Sequence, residues 1–169
     1  MSKKIYKYIG LFPIYVLLQV FILNEILFAS YINPYLYILL IITLPRDTPN
    51  WFLLIYGFLL GFTIDIFTGS IGFHSTATVL ISFLKPLISK LIIPHNIISD
   101  QDELQLQRVG LQPFSIFTLI LTIVHHATLF LIETLSLSNF FELLIKICFS
   151  SVVTSLLIII TQLLYFRKK

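Results

Sequence analysis

Asp65 is a carboxylate set inside a long apolar run, and it follows two glycines at a fixed interval: Gly57, Gly61 and Asp65 stand at i, i+4 and i+8. On a helix these three share one face, which drifts slowly around the 3.6-residue period. Small residues let two helices approach closely, and a carboxylate in hydrocarbon is costly unless it has a partner. The carboxylate therefore points where the backbone is bare, towards another helix. Two kinds of chemistry fit such a group. It is either a site for a ligand or a partner's polar group, or it ties together the turn that follows. In the second case it would accept hydrogen bonds from Ser70, His74 or backbone N–H groups at the start of the next helix. The tie is the favoured reading. On it, Gly61→Leu is the disruptive substitution and Asp65→Asn the milder one.

The other titratable groups form no reactive constellation. His125 and His126 are adjacent, so on a helix they point about 100° apart and do not share a metal on one face. Histidines hydrogen-bonded inside a bundle are the simpler reading. Glu142 and Lys146 stand at i, i+4 in the favourable order and are expected to pair. Lys85 precedes Pro86, where a kink is expected, and can snorkel inward. The sequence carries no G-x-S-x-G, H-E-x-x-H or Walker pattern. No catalytic, cofactor-binding or metal residue is assigned and no cofactor is expected.

The elements that must position Asp65 follow from composition. The chain has 169 residues, 57% hydrophobic and 11% charged, with mean hydropathy +0.97. That leaves too little polar surface to cover a water-soluble globule, for which about 25% charged residues is usual. The reading is an all-α integral membrane protein, one polytopic domain over residues 1–169, built as a six-helix bundle with one short helix. The helices are expected near residues 8–23, 34–44, 51–68, 73–93, 114–135 and 140–166. The segment from Pro34 to Leu44 is too short to cross a bilayer untilted. It is read as a short helix, with residues 26–32 near the outer interface. The basic N-terminus followed by an apolar run is read as the first membrane helix rather than a signal peptide, since no small-residue cleavage site follows.

Charge sets the expected topology. The net charge of +3 comes from basic residues at the ends of apolar segments, which is no nucleic-acid signal. Ten of the eleven Lys and Arg fall on one side; Lys146 is the exception. The loops Asn24–Asn33, Gly69–Gly72 and Ser136–Asn139 hold none. By the positive-inside rule both termini are cytoplasmic, and Asp65 lies about 21 Å above the Trp51 edge, in the outer third of a core about 30 Å thick. The stretch Pro94–Gln112 is the one long loop. It is read mainly as a solvated connector, with Ser99 and Asp102 resembling a capping box for a short interfacial helix. The lone Cys148 excludes an intramolecular disulfide.

Asn33-Pro34-Tyr35, Leu44-Pro45-Arg46, the run Gly57 to Asp65, Gly69-Ser70 and Gly72 occur in an order that resembles the rod shape-determining membrane protein MreD family. The likeness covers roughly Pro34 to Pro86; the ends match in hydropathy and length alone. It implies a non-enzymatic subunit of the bacterial inner (cytoplasmic) membrane, part of the cell-wall elongation machinery. Such a subunit binds a bitopic MreC-like partner. It regulates, directly or indirectly, a RodA-type glycosyltransferase with a class B penicillin-binding protein. On this reading Gly57, Gly61, Asp65, Gly69, Ser70, Gly72 and His74 form the helix-packing or partner-binding motif. The alternative is a small-molecule-binding component of an energy-coupling-type vitamin transporter, with its ligand near Asp65 and His74. The bulky run Tyr8–Leu23 lacks the Ala-rich stripe that such components commonly present.

Overall fold

A computed structural model describes residues 3–25, 32–70, 72–134 and 140–166. Much of the segment 26–32, the loop Ser136–Asn139 and the basic residues Arg167, Lys168 and Lys169 lie outside the described residues. The described chain is helical, with no strand. Its elements are α1 (Lys3–Leu18), α2 (Ile38–Thr43), α3 (Asn50–Thr68), α4 (Phe73–Ile92), α5 (Leu106–Val109), α6 (Leu111–Thr134) and α7 (Phe140–Phe166). Five stretches are long and apolar enough to cross a membrane: Tyr6–Leu23, Asn50–Thr68, Phe73–Ile92, Leu111–Thr134 and Phe140–Tyr165. The chain is a multi-pass membrane protein. Helix α4 runs through Pro86 as one element.

The long helices pack in the order α1, α3, α4, α6, α7, and α2 touches α1, α4 and α6. Every residue of α2 is buried, which makes this short helix a central rod. The helix is shorter than the expected 34–44. Residues 35–37 form a turn, with the Ile38 N–H donating to the Tyr35 carbonyl. Leu44, ahead of Pro45, is extended at ψ 145°, as a residue before proline prefers. A helix buried on all sides has no polar face, so its ends leave no periodic trace in the sequence.

Helix α1 ends in a π-turn, Gln19–Leu23, closed by the Asn24 N–H on the Gln19 carbonyl at 2.9 Å. The wider turn aims the Gln19 side chain at the start of the rod. Its Nε2 donates to Pro34 O and Asn24 Oδ1, and its Oε1 accepts from the Leu36 N–H, each at 2.9 Å. Gln19→Leu would leave these groups without partners in a buried place, at a cost of about 2 kcal/mol. The expected result is a lower melting temperature in detergent, read by intrinsic fluorescence, with the helical content of the folded state unchanged.

The opposite end of the rod is held by a buried cation. Lys85 does not snorkel to water: it is 1% exposed, and its Nζ donates to Leu44 O at 2.8 Å and Pro45 O at 3.2 Å. The carbonyls at the end of α2 have no further helical turn to bond, so a buried ammonium supplies the missing donors. The long loop is also more than a solvated connector. Pro45 pairs with Glu103 in an antiparallel bridge. The Leu104 N–H reaches Thr43 O at 3.2 Å and the Asp47 N–H reaches Asp100 O at 2.8 Å. Glu103 then binds Lys7 of α1 at 3.0 Å. Ser99 and Asp102 close a turn through their backbones at 3.0 Å, and the helical turn lies later, at α5. Lys146 meets Glu133 of α6 at 3.4 Å and sits 4.1 Å from the centre of the Phe130 ring. This contact joins α6 and α7.

Candidate functional site

The α3–α4 connection is built from two residues that only glycine fills without strain. Gly69 closes α3 at φ 71° and Gly72 opens α4 at φ 99°, both left-handed. Asp65, one turn before the end of α3, is fully buried, and its carboxylate faces the first turn of α4. Oδ1 accepts from the His74 N–H at 2.8 Å, from His74 Nδ1 at 2.9 Å and from Ser70 Oγ at 3.3 Å. Oδ2 accepts from the Gly72 N–H at 3.0 Å, the Ser75 N–H at 3.0 Å and Ser75 Oγ at 2.8 Å. An ionised carboxylate has about four lone-pair sites, and here six donors converge on it. His74 Nδ1 must carry its proton in order to donate.

The physical role of this arrangement is capping. The first N–H groups of a helix have no internal partners, and the helix dipole favours a negative charge there. An N-cap side chain ordinarily supplies the acceptor from within its own helix. In this chain Gly72 holds the N-cap position without a side chain to offer, and Asp65 supplies the acceptor from the neighbouring helix. The residues Asp65, Gly69, Ser70, Gly72 and His74 thus belong to one built turn.

Gly57 and Gly61 lie on the face of α3 that meets α4. A Cβ on Gly61 would stand 2.3 Å from Thr78 Oγ1, 2.5 Å from Ser75 Cα and 2.6 Å from the His74 carbonyl oxygen. A Cβ on Gly57 would meet Ser82 Oγ at 2.2 Å and Thr78 O at 3.0 Å. The glycine face is covered by α4 of the same chain.

Behind the turn lies a polar interior that the residue spacing did not reveal. The Tyr35 ring packs edge-on against His74 at 5.4 Å and His125 at 5.6 Å, and also lies against His126 at 5.2 Å. Tyr37 OH and His125 Nε2 are 2.9 Å apart. His126 Nδ1 lies 2.7 Å from Thr122 O, and its Nε2 lies 3.3 Å from both Asn33 O and Thr154 Oγ1. That hydroxyl in turn accepts the Tyr35 N–H at 3.1 Å. Thr122 and Ser155 hydroxyls meet at 2.9 Å across α6 and α7. The tyrosines on either side of Leu36 and the lone Gln19 in an apolar run were the available signals for this interior. Among the described residues no three His, Cys, Asp or Glu side chains are placed to hold a metal ion.

No family model matches the chain, and neither a curated protein nor a solved structure matches it. The fold and the site define a multi-pass helical membrane protein whose intramembrane carboxylate is engaged in a helix cap.

Proposed function

We propose that this chain is a non-enzymatic assembly subunit of the bacterial inner membrane, similar to the MreD family. In this reading it is a six-helix bundle, five long helices and the short α2, with both termini cytoplasmic. It binds a bitopic MreC-like protein and through it regulates peptidoglycan synthesis and cell shape, acting directly or indirectly on a RodA-type glycosyltransferase and a class B penicillin-binding protein.

The observation that carries the proposal is the saturation of Asp65. Six donors from the turn surround its two oxygens, so the carboxylate has no lone pair left for a ligand or a proton in transit. A polar group used in this way gives a helical hairpin a fixed shape. A fixed shape serves a subunit that works by contact, since a few kcal/mol of preference for one partner conformation shifts a poised equilibrium. The second reading, a vitamin-binding transporter component, draws on the aromatic and histidine groups near Asp65, His125 Nδ1 being buried without a partner.

Purification of the tagged chain from native membranes in mild detergent separates the two. The proposal predicts recovery of a one-span, coiled-coil partner. Recovery of ATPase subunits with a bound small molecule would establish the transporter reading in its place.

A further inference from the structure

Arg46 leaves α2 at the turn Pro45–Thr48 and is buried, with 8% of its surface exposed. One corner of its guanidinium closes the end of α4: Nη2 donates to Ser89 O at 3.2 Å and to Ile93 O at 2.5 Å. The Nε and Nη1 donors are buried and have no hydrogen-bond acceptor. Nearby, the second buried cation, Lys85, gives its hydrogen bonds to the carbonyls of Leu44 and Pro45. Ser89 and Ile93 stand one and two turns beyond Lys85 on the same face of α4, so the two cations adjoin. Helix C-termini and the carboxylate of the adjacent, exposed Asp47 offset part of this charge. They do not supply acceptors for Nε and Nη1.

Buried charges are ordinarily paired, and a planar guanidinium with free N–H donors matches the oxygens of a phosphate. The position in the bilayer agrees with that ligand. Arg46 lies level with the last turn of α4 and the start of α3, where Trp51 is exposed, as an interfacial tryptophan would be. Lys90 is exposed on the same turn of α4, beside the lipid-facing Leu87 and Leu91.

We propose that Arg46 is the centre of an oxyanion site at the membrane interface, which takes the phosphate of an anionic lipid headgroup, with Lys90 at its rim. The fork is closed off from water, so admitting the phosphate requires the turn Pro45–Thr48 to part from the long loop, which holds it through the Pro45–Glu103 bridge and the Asp47 N–H on Asp100 O. This site is independent of the cell-wall reading.

The test is retention of phosphatidylglycerol by the full chain, measured by native mass spectrometry after exchange into lipid-free detergent, beside phosphatidylcholine and inorganic phosphate as probes. The expected result is preferential retention of phosphatidylglycerol. Retention falls several-fold in Arg46→Lys, which keeps the charge and loses the fork, and falls to a smaller degree in Lys90→Gln, a surface change that leaves folding intact. A melting-temperature rise with inorganic phosphate that is lost in Arg46→Lys supports the same site with free phosphate as its source. Equal retention of the two lipids by wild type, or equal phosphatidylglycerol retention by wild type, Arg46→Lys and Lys90→Gln with no phosphate effect, would overturn the proposal.

Discussion

Gly61→Ala is expected to destabilise the protein by about 3 kcal/mol or more, although it adds a single methyl group. The reason is what the methyl meets. Two of its three nearest atoms are backbone, Ser75 Cα at 2.5 Å and His74 O at 2.6 Å. Backbone does not rotate away, so α4 itself must move back from α3. The first turn of α4 carries the N–H groups that Asp65 accepts, and the same displacement stretches the cap. Gly57→Ala is the control. Its closest neighbour is Ser82 Oγ, a hydroxyl on a rotatable bond that has no hydrogen-bond partner to lose. The smaller effect is therefore expected at Gly57, in melting temperature and in yield of folded protein from membranes. Equal effects at the two positions would show that the α3–α4 contact is not as close at Gly61 as described.

Asp65→Asn is expected to be nearly as damaging, against the milder effect that the residue type alone suggests. An amide presents one acceptor oxygen and one NH2 group. Whichever way it is turned, the NH2 faces backbone groups that can only donate: either the Gly72 and Ser75 N–H groups or the His74 N–H. Donor against donor is repulsive, and the charge that answers the helix dipole is gone. A loss of about 3 kcal/mol is reasonable for buried, charge-assisted bonds. Asp65→Glu keeps the charge but its extra methylene has no room in a closed turn, so it is not expected to rescue. The check is thermal unfolding in detergent, together with recovery of the proposed bitopic partner. Both should fall together. A wild-type melting temperature with partner recovery lost would mean that the carboxylate acts outward, on a partner or ligand.

The long helices were legible because hydrocarbon thickness demands long apolar runs, and the α3–α4 turn was legible because Gly69, Ser70 and Gly72 break one such run at a single place. The shared face of Gly57, Gly61 and Asp65 also follows from helix geometry alone. What covers that face does not, because spacing within a helix carries no information about the helix it meets. The limits of α2 left no trace because burial on every side removes the polar positions that mark helix ends. Gln19 carries no signal of its partners in the sequence, because a single amide in an apolar run becomes informative only when a π-turn aims it at Pro34 and Leu36. Lys85 and Arg46 looked like topology signals. Their placement depends on carbonyls at the ends of α2 and α4, and a helix end is a structural fact before it is a sequence one. The pairing of Pro45 with Glu103 likewise joins segments whose side chains show no periodic match.

Asp65 caps a helix that cannot cap itself, and the proposed role of the chain as a contact-acting subunit rests on that cap. Hydrogen exchange of the backbone amides in the peptide covering residues 70–76, measured on the wild-type protein in detergent or nanodiscs, tests it most directly. The account predicts strong protection at Gly72, His74 and Ser75, since each of these N–H groups is bound to a buried carboxylate. Rapid exchange at these three amides in the folded wild-type protein would contradict it, because the carboxylate would then be free to serve a ligand.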